Sequence, residues 1–180
     1  MKKFLLIAAL FIIQGCTPNE PTPDITIVKD QFTHQIKIFG KSEEADLASV
    51  HLAYEPASWQ LYSIIDPASG SVKHQVALTK VYFAIAHHNL NKACGEDSKK
   101  LKVTKIVDAG RACLKRCKIL EQVTIDIDEK TLRQHDLSGY SIKVIGKTTY
   151  EFVFKISAAA IQAQLAASDL YSRPTAQPIN

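Results

Sequence analysis

From residue 25 onward, hydrophobic and polar side chains alternate along much of the chain. Ile36 and Ile38 flank Lys37, and Trp59 and Leu61 flank Gln60. A period of two residues is typical of strands that bury one face. The stretch 76–85 also fits one face of a helix, but its β-branched and aromatic residues favour a strand. Further strands are predicted at 50–54, 101–105, 118–128, 141–147 and 150–156, and 91–100 is predicted to be a polar loop.

Two segments favour helices. Asp128 is suited to cap a short helix near 129–135, and Gly139 would end the helical segment. Ser157 precedes a C-terminal helix near 158–170, in which Ile161 and Leu165 are spaced to cover a sheet.

Together these elements predict a mainly β fold. Seven to nine short strands with turn residues at regular intervals favour an antiparallel immunoglobulin-like sandwich that carries both helices. An open α+β sheet covered by the C-terminal helix is the alternative.

The N-terminus has the features of an export signal. Lys2 and Lys3 precede an apolar run at 4–13, which is too short for a membrane span of about 20 residues. The sequence Ile13-Gln14-Gly15-Cys16 that follows resembles the lipobox of bacterial lipoproteins, although Gln14 departs from the usual small or aliphatic residue. The resemblance implies that residues 1–15 are removed and that Cys16 carries lipid. By the sorting rule of that family, Thr17 implies the outer membrane, on either of its faces. An ordinary signal peptide cut elsewhere is the alternative.

The rest of the chain divides by composition. Residues 16–24 are polar and Pro-rich, which predicts an extended tether behind the lipid. Residues 25–172 are expected to form one domain, and 173–180 a flexible tail. No later apolar run is long enough to span a membrane, so the lipid on Cys16 is the expected anchor. The mature part is also loosely similar, over 101–128 and 141–167, to uncharacterised β-sandwich lipoproteins of Gram-negative bacteria, a resemblance that implies no activity.

The net charge argues against nucleic acid as a partner. The whole chain carries +4, and removing Lys2 and Lys3 leaves 20 basic against 18 acidic residues, or +2. Proteins that bind nucleic acid need a large clustered excess of positive charge.

Three cysteines remain beside Cys16. Export favours disulfides, and Cys113 and Cys117 bracket a short loop that would lie across a hairpin turn. We therefore favour a Cys113–Cys117 disulfide with Cys94 free over a bond from Cys94 to either of them. The spacing lacks the second ligand pair that a zinc site needs.

No catalytic or nucleotide-binding motif occurs in the sequence. His87 and His88 are adjacent, so on a strand they would point to opposite faces and not share one metal. Asp126, Asp128 and Glu129 are conceivable calcium ligands, but strand-end carboxylates with Asp128 as a helix cap explain them as well. No cofactor is predicted.

Positive charge is concentrated between residues 99 and 118. Lys99, Lys100, Lys115 and Arg116 are candidates for binding lipid phosphates, lipopolysaccharide or an acidic envelope protein. A solvated face whose lysines protect a sheet edge is the competing interpretation. The sequence thus favours a non-enzymatic binding module of the envelope, with an enzyme or metal-dependent activity built from dispersed residues as the alternative.

Overall fold

The computed structural model describes residues 25–45, 56–84, 87–109, 117–147 and 150–172. These parts of the chain form two antiparallel sheets and two helices. The larger sheet has the order β1-β2-β3-β4-β8-β7, formed by Thr26–Lys29, Ile36–Glu44, Ala57–Asp66, Ser71–Ala84, Cys117–Ile127 and Val103–Ala109. The smaller sheet has the order β10-β9-β5-β6, formed by Glu151–Ile156, Tyr140–Ile145, Lys92–Gly95 and Lys100–Leu101.

The two sheets share one hydrophobic core. Along β3, Trp59, Leu61 and Ile65 are buried and alternate with half-buried residues. Trp59 stacks on Phe154 of β10 with ring centroids 6.3 Å apart, so the smaller sheet packs on the inner face of the larger one. Each fully buried side chain of this size contributes about 1.5–3 kcal/mol to stability.

Two helices complete the fold. Helix α1 (Glu129–Gln134) begins at Asp128, whose side chain accepts a hydrogen bond from the Thr131 amide. Helix α2 (Ala158–Ser172) begins after Ser157, whose hydroxyl accepts from the Ala160 amide at 3.2 Å. α2 packs on β2 and β3 and buries Ile161 and Leu165. Neither helix of the described residues is long and apolar enough to cross a membrane.

These observations confirm the predicted class, a mainly β fold with two antiparallel sheets and helices near 129–135 and 158–170. Both predicted helix caps are confirmed as well. One local prediction is wrong: Lys92–Gly95 is a strand, not part of a loop, because β5 pairs with both β9 and β6. Residues 1–24, 50–54 and 173–180 lie outside the described residues, so the signal peptide, the tether, the tail and the strand expected at 50–54 stay predictions.

Candidate functional site

The candidate site begins with two opposite charges inside the core. The register of β4 and β8 places Lys80 directly opposite Glu121, and their side chains are 1% and 0% exposed. Directly opposed residues share a face of the sheet, with β-carbons about 4.5–5.5 Å apart. The Lys80 ammonium also lies over the rings of Tyr150 and Phe152, at 5.4 and 5.1 Å from their centroids. Buried charges persist only where such partners replace water.

The Glu121 carboxylate fixes the segment 87–91, which leads from β4 to β5. Its oxygens accept hydrogen bonds from the backbone amides of Asn89 at 2.8 Å and Leu90 at 3.4 Å. The Nδ1 atom of His87 lies 3.7 Å from Glu121 Oε1. Asn89 has a positive φ of 50°, a conformation that asparagine tolerates better than most residues. One buried carboxylate thus holds the backbone at Asn89 and Leu90.

A second contact holds this segment against the turn between β9 and β10. The Lys147 amide donates to the His88 carbonyl at 2.7 Å. A Cβ at Gly146 would lie 2.5 Å from that carbonyl oxygen, so only glycine permits this approach. The His88 ring stacks between Tyr82 and Tyr150, with centroids 4.1 and 3.8 Å away.

These contacts leave a small cleft at one end of the sandwich, which we call the basic cleft. It encloses about 270 Å³ and is lined by Asn89, Leu90, Asn91, Val103, Lys105 and Lys147. The Lys105 ammonium donates to the Asn89 side-chain oxygen at 3.4 Å. The described lining residues include two lysines, Lys105 and Lys147. Clustered charge of one sign in a concave surface attracts anions, so the cleft is suited to an anionic group.

The predicted basic site at 99–116 has a different environment. Lys99 and Lys100 line a groove of about 390 Å³, where Lys99 forms an ion pair with Asp128, and Lys73 forms one with Asp126 at 3.3 Å. Lys100 is exposed on β6, an edge strand of the smaller sheet. Acidic residues therefore offset much of the positive charge in this groove. Lys115 and Arg116 lie outside the described residues.

The candidate calcium ligands are engaged with other partners. Beside its ion pair with Lys73, Asp126 accepts a hydrogen bond from Gln75. The hydrogen bond from Lys99, together with the Thr131 amide, lowers the pKa of Asp128 to about 2. No group of three or more metal-ligating side chains is assembled within the ranges that the structure covers.

A buried polar network joins β3 and β4 to α2. Ser63 Oγ lies 2.7 Å from His74 Nδ1 and accepts a hydrogen bond from Gln164 Nε2 at 2.8 Å. Ser168 donates to the Gln164 carbonyl at 2.8 Å. Ser63 is 0% and His74 2% exposed, so this serine–histidine pair is closed to a substrate. Burial lowers the pKa of His74.

The cysteine predictions are tested only in part. Cys94 is a free thiol on β5. Cys113 lies outside the described residues, so its disulfide with Cys117 remains a prediction.

Sequence reasoning missed Lys80, Glu121 and Lys147. For the first two a signal is present, because each interrupts a row of alternating apolar residues that ends up in the core. A charge at such a position indicates a buried ionic contact. Lys147 has no comparable signal, since its position beside the segment 87–91 depends on how the two sheets pack.

Comparison with known proteins finds no matching protein-family model, no matching curated protein and no matching solved structure. The function is therefore inferred from the residues and their geometry.

Proposed function

We propose that this protein is a lipoprotein, anchored in the outer membrane through lipid on Cys16, whose domain binds an anionic partner without catalysing a reaction. The N-terminal sequence up to Cys16 supports the anchor. The single observation that supports the binding role is the basic cleft, whose lining includes both Lys105 and Lys147.

The cleft is also pre-formed. The Asn89 amide donates to the Glu121 carboxylate, and the Asn89 side-chain oxygen accepts from the Lys105 ammonium. Binding sites that are ordered before the ligand arrives lose little entropy on association. Lipid phosphates, lipopolysaccharide and acidic surfaces of envelope proteins all present the negative charge that this site favours.

The alternative of an enzyme is less well supported by the geometry. The Ser63 and His74 side chains have the contact that a nucleophile and its base require, but α2 covers them. A buried pair of this kind serves to join the helix to the sheet.

Crosslinking in intact cells tests the proposal. The double variant Lys105→Glu and Lys147→Glu should lose the wild-type crosslinked partner, and the wild-type crosslink should weaken with added salt, since salt screens exposed charges. Lys41→Glu and Lys130→Glu make the matched control, because both lysines are exposed and neither lines the cleft. An unchanged partner in the cleft variant would overturn the assignment of the cleft.

A second variant separates the cleft from the segment predicted by sequence alone. Reversing Lys99, Lys100, Lys115 and Arg116 to Glu should leave the partner in place. Loss of the partner only in this variant would move the site to the basic segment.

The anchor has its own test. Cys16→Ala should block lipidation and leave a precursor that retains its signal peptide. Mature, acylated protein from that variant, measured by mass spectrometry, would overturn the lipobox assignment.

A further inference from the structure

The hairpin formed by β1 and β2 carries an unusually exposed aromatic side chain. Phe32, in the turn between the strands, is 95% exposed. Ile27 and Val28 on β1 are exposed as well, at 42% and 45%. Single exposed apolar residues are ordinary, but an aromatic ring exposed to this degree in the turn of an edge hairpin is suited to contact another surface.

The turn holds Phe32 in this position. Asp30 Oδ1 accepts hydrogen bonds from the amides of Phe32 at 2.9 Å and Thr33 at 3.0 Å. The Asp30 amide donates to the Gln35 carbonyl at 2.8 Å, which closes the turn. The backbone that carries the exposed ring is thus held by three hydrogen bonds within the turn.

The charge at the turn end of the hairpin suits a lipid surface. Between residues 26 and 39 the chain carries Lys29 and Lys37 against a single acid, Asp30. The Asp30 carboxylate is directed at the turn amides, and Lys37 lies 4.0 Å from it. An apolar tip beside lysines is the combination that binds at the headgroup level of membranes with anionic lipids.

The chain length between Cys16 and the hairpin permits this contact. Eight residues, 17–24, separate Cys16 from the first described residue, Ile25. An extended Pro-rich segment of this length reaches about 25 Å. Strand β1, with four residues, is only about 13 Å long. A chain anchored at Cys16 can therefore bring the turn at the far end of β1 back to the bilayer.

We propose that the turn between β1 and β2 contacts the same bilayer that holds the lipid anchor, with Phe32 inserted among the headgroups. This inference rests on the lipid anchoring proposed above. The contact would fix the orientation of the domain relative to the membrane, which a tether alone does not do.

Tryptophan fluorescence tests the contact. Phe32→Trp places a reporter at the turn, and Trp59, the one tryptophan of the chain, is 2% exposed and supplies a constant background. The wild-type and variant proteins, purified after export, are mixed with vesicles of phosphatidylethanolamine and phosphatidylglycerol. The emission of the variant should shift to shorter wavelength, and lipids brominated in their acyl chains should quench it beyond the wild-type background.

Leu137→Trp is the matched control, since Leu137 is 84% exposed in the turn after α1. Its indole should remain accessible to iodide in water and insensitive to brominated lipid. Both substitutions replace exposed side chains, so both variants should fold as the wild type does.

The outcomes separate the two proposals. A wild-type chain that does not float with the vesicles overturns the lipid anchor and the hairpin contact with it. A chain that floats, but whose reporter at position 32 responds like the control at 137, overturns the hairpin contact alone.

Discussion

Glu121 lies directly opposite Lys80 across β4 and β8, with both side chains fully enclosed by the core. The same carboxylate accepts the Asn89 and Leu90 amides. Glu121 therefore connects the paired strands of the larger sheet to the backbone that lines the basic cleft. Buried amides that lose a charged acceptor lose more stability than exposed ones.

We expect Glu121→Gln to destabilise the protein by about 1.5–3 kcal/mol, because the Asn89 and Leu90 amides lose a charged acceptor while the shape of the side chain is kept. Urea denaturation measures the change, and hydrogen exchange should show faster exchange of the Asn89 and Leu90 amides. Glu44→Gln on an exposed part of β2 is the control and should cost less than about 0.5 kcal/mol. Equal effects of both variants would mean that the Glu121 charge contributes nothing.

His74 should make stability depend on pH. Burial lowers the pKa of its imidazole in the folded protein below the ordinary value of 6.5, while Glu129 and Asp169 oppose this effect and Arg133 adds to it. The unfolded chain therefore takes up the proton first. The stabilising contribution is complete above pH 6.5 and declines as the pH falls through the folded pKa, by at most about 1.4 kcal/mol per pH unit.

Denaturation at a series of pH values checks this expectation. His74→Gln should flatten the dependence below pH 6.5, whereas His34→Gln, at an exposed turn position, should leave it unchanged. The comparison uses slopes, since His74→Gln also alters the contact with Ser63. A slope that survives in His74→Gln would assign the proton to another group.

Asp128 combines two roles that substitution can separate. Asp128→Asn keeps a side chain able to cap α1 but removes the ion pair with Lys99, which should cost less than about 1 kcal/mol because both side chains are half-exposed. Asp128→Ala removes the cap as well and should cost about 1 kcal/mol more. Thermal or urea denaturation distinguishes them. With a pKa of about 2 in the folded protein, the wild-type contribution is present above pH 3.8 and is lost as the pH falls toward 2.

The disulfide prediction can be checked by peptide mapping. Protein purified from an oxidising periplasm should contain an intramolecular bond between Cys113 and Cys117, with Cys94 as a free thiol. So short a loop should contribute about 1–3 kcal/mol of stability. Finding both thiols alkylated in unreduced protein would contradict the pairing.

Features that depend on neighbouring residues were readable from the sequence. The alternation along β3, the caps at Asp128 and Ser157, and the buried positions Ile161 and Leu165 all match the structure. These follow from local rules, because the side-chain period of a strand or helix and the unsatisfied amides of a helix start are set within a few residues.

Contacts between distant segments could be identified only from the tertiary structure. Lys99 was a candidate for an external anion, yet Asp128, 29 residues away, is its partner. Lys92–Gly95 is too short to indicate a strand by itself, and it becomes one because β6 and β9 supply hydrogen bonds on both sides. The basic cleft arises in the same way, since Lys105 on β7 and Lys147 after β9 line one cleft only when the two sheets pack together. The sequence alone determined which residues prefer the interior, whereas the packing of the sheets decided which charges face one another, because electrostatic contacts depend on distance in space and not on separation along the chain.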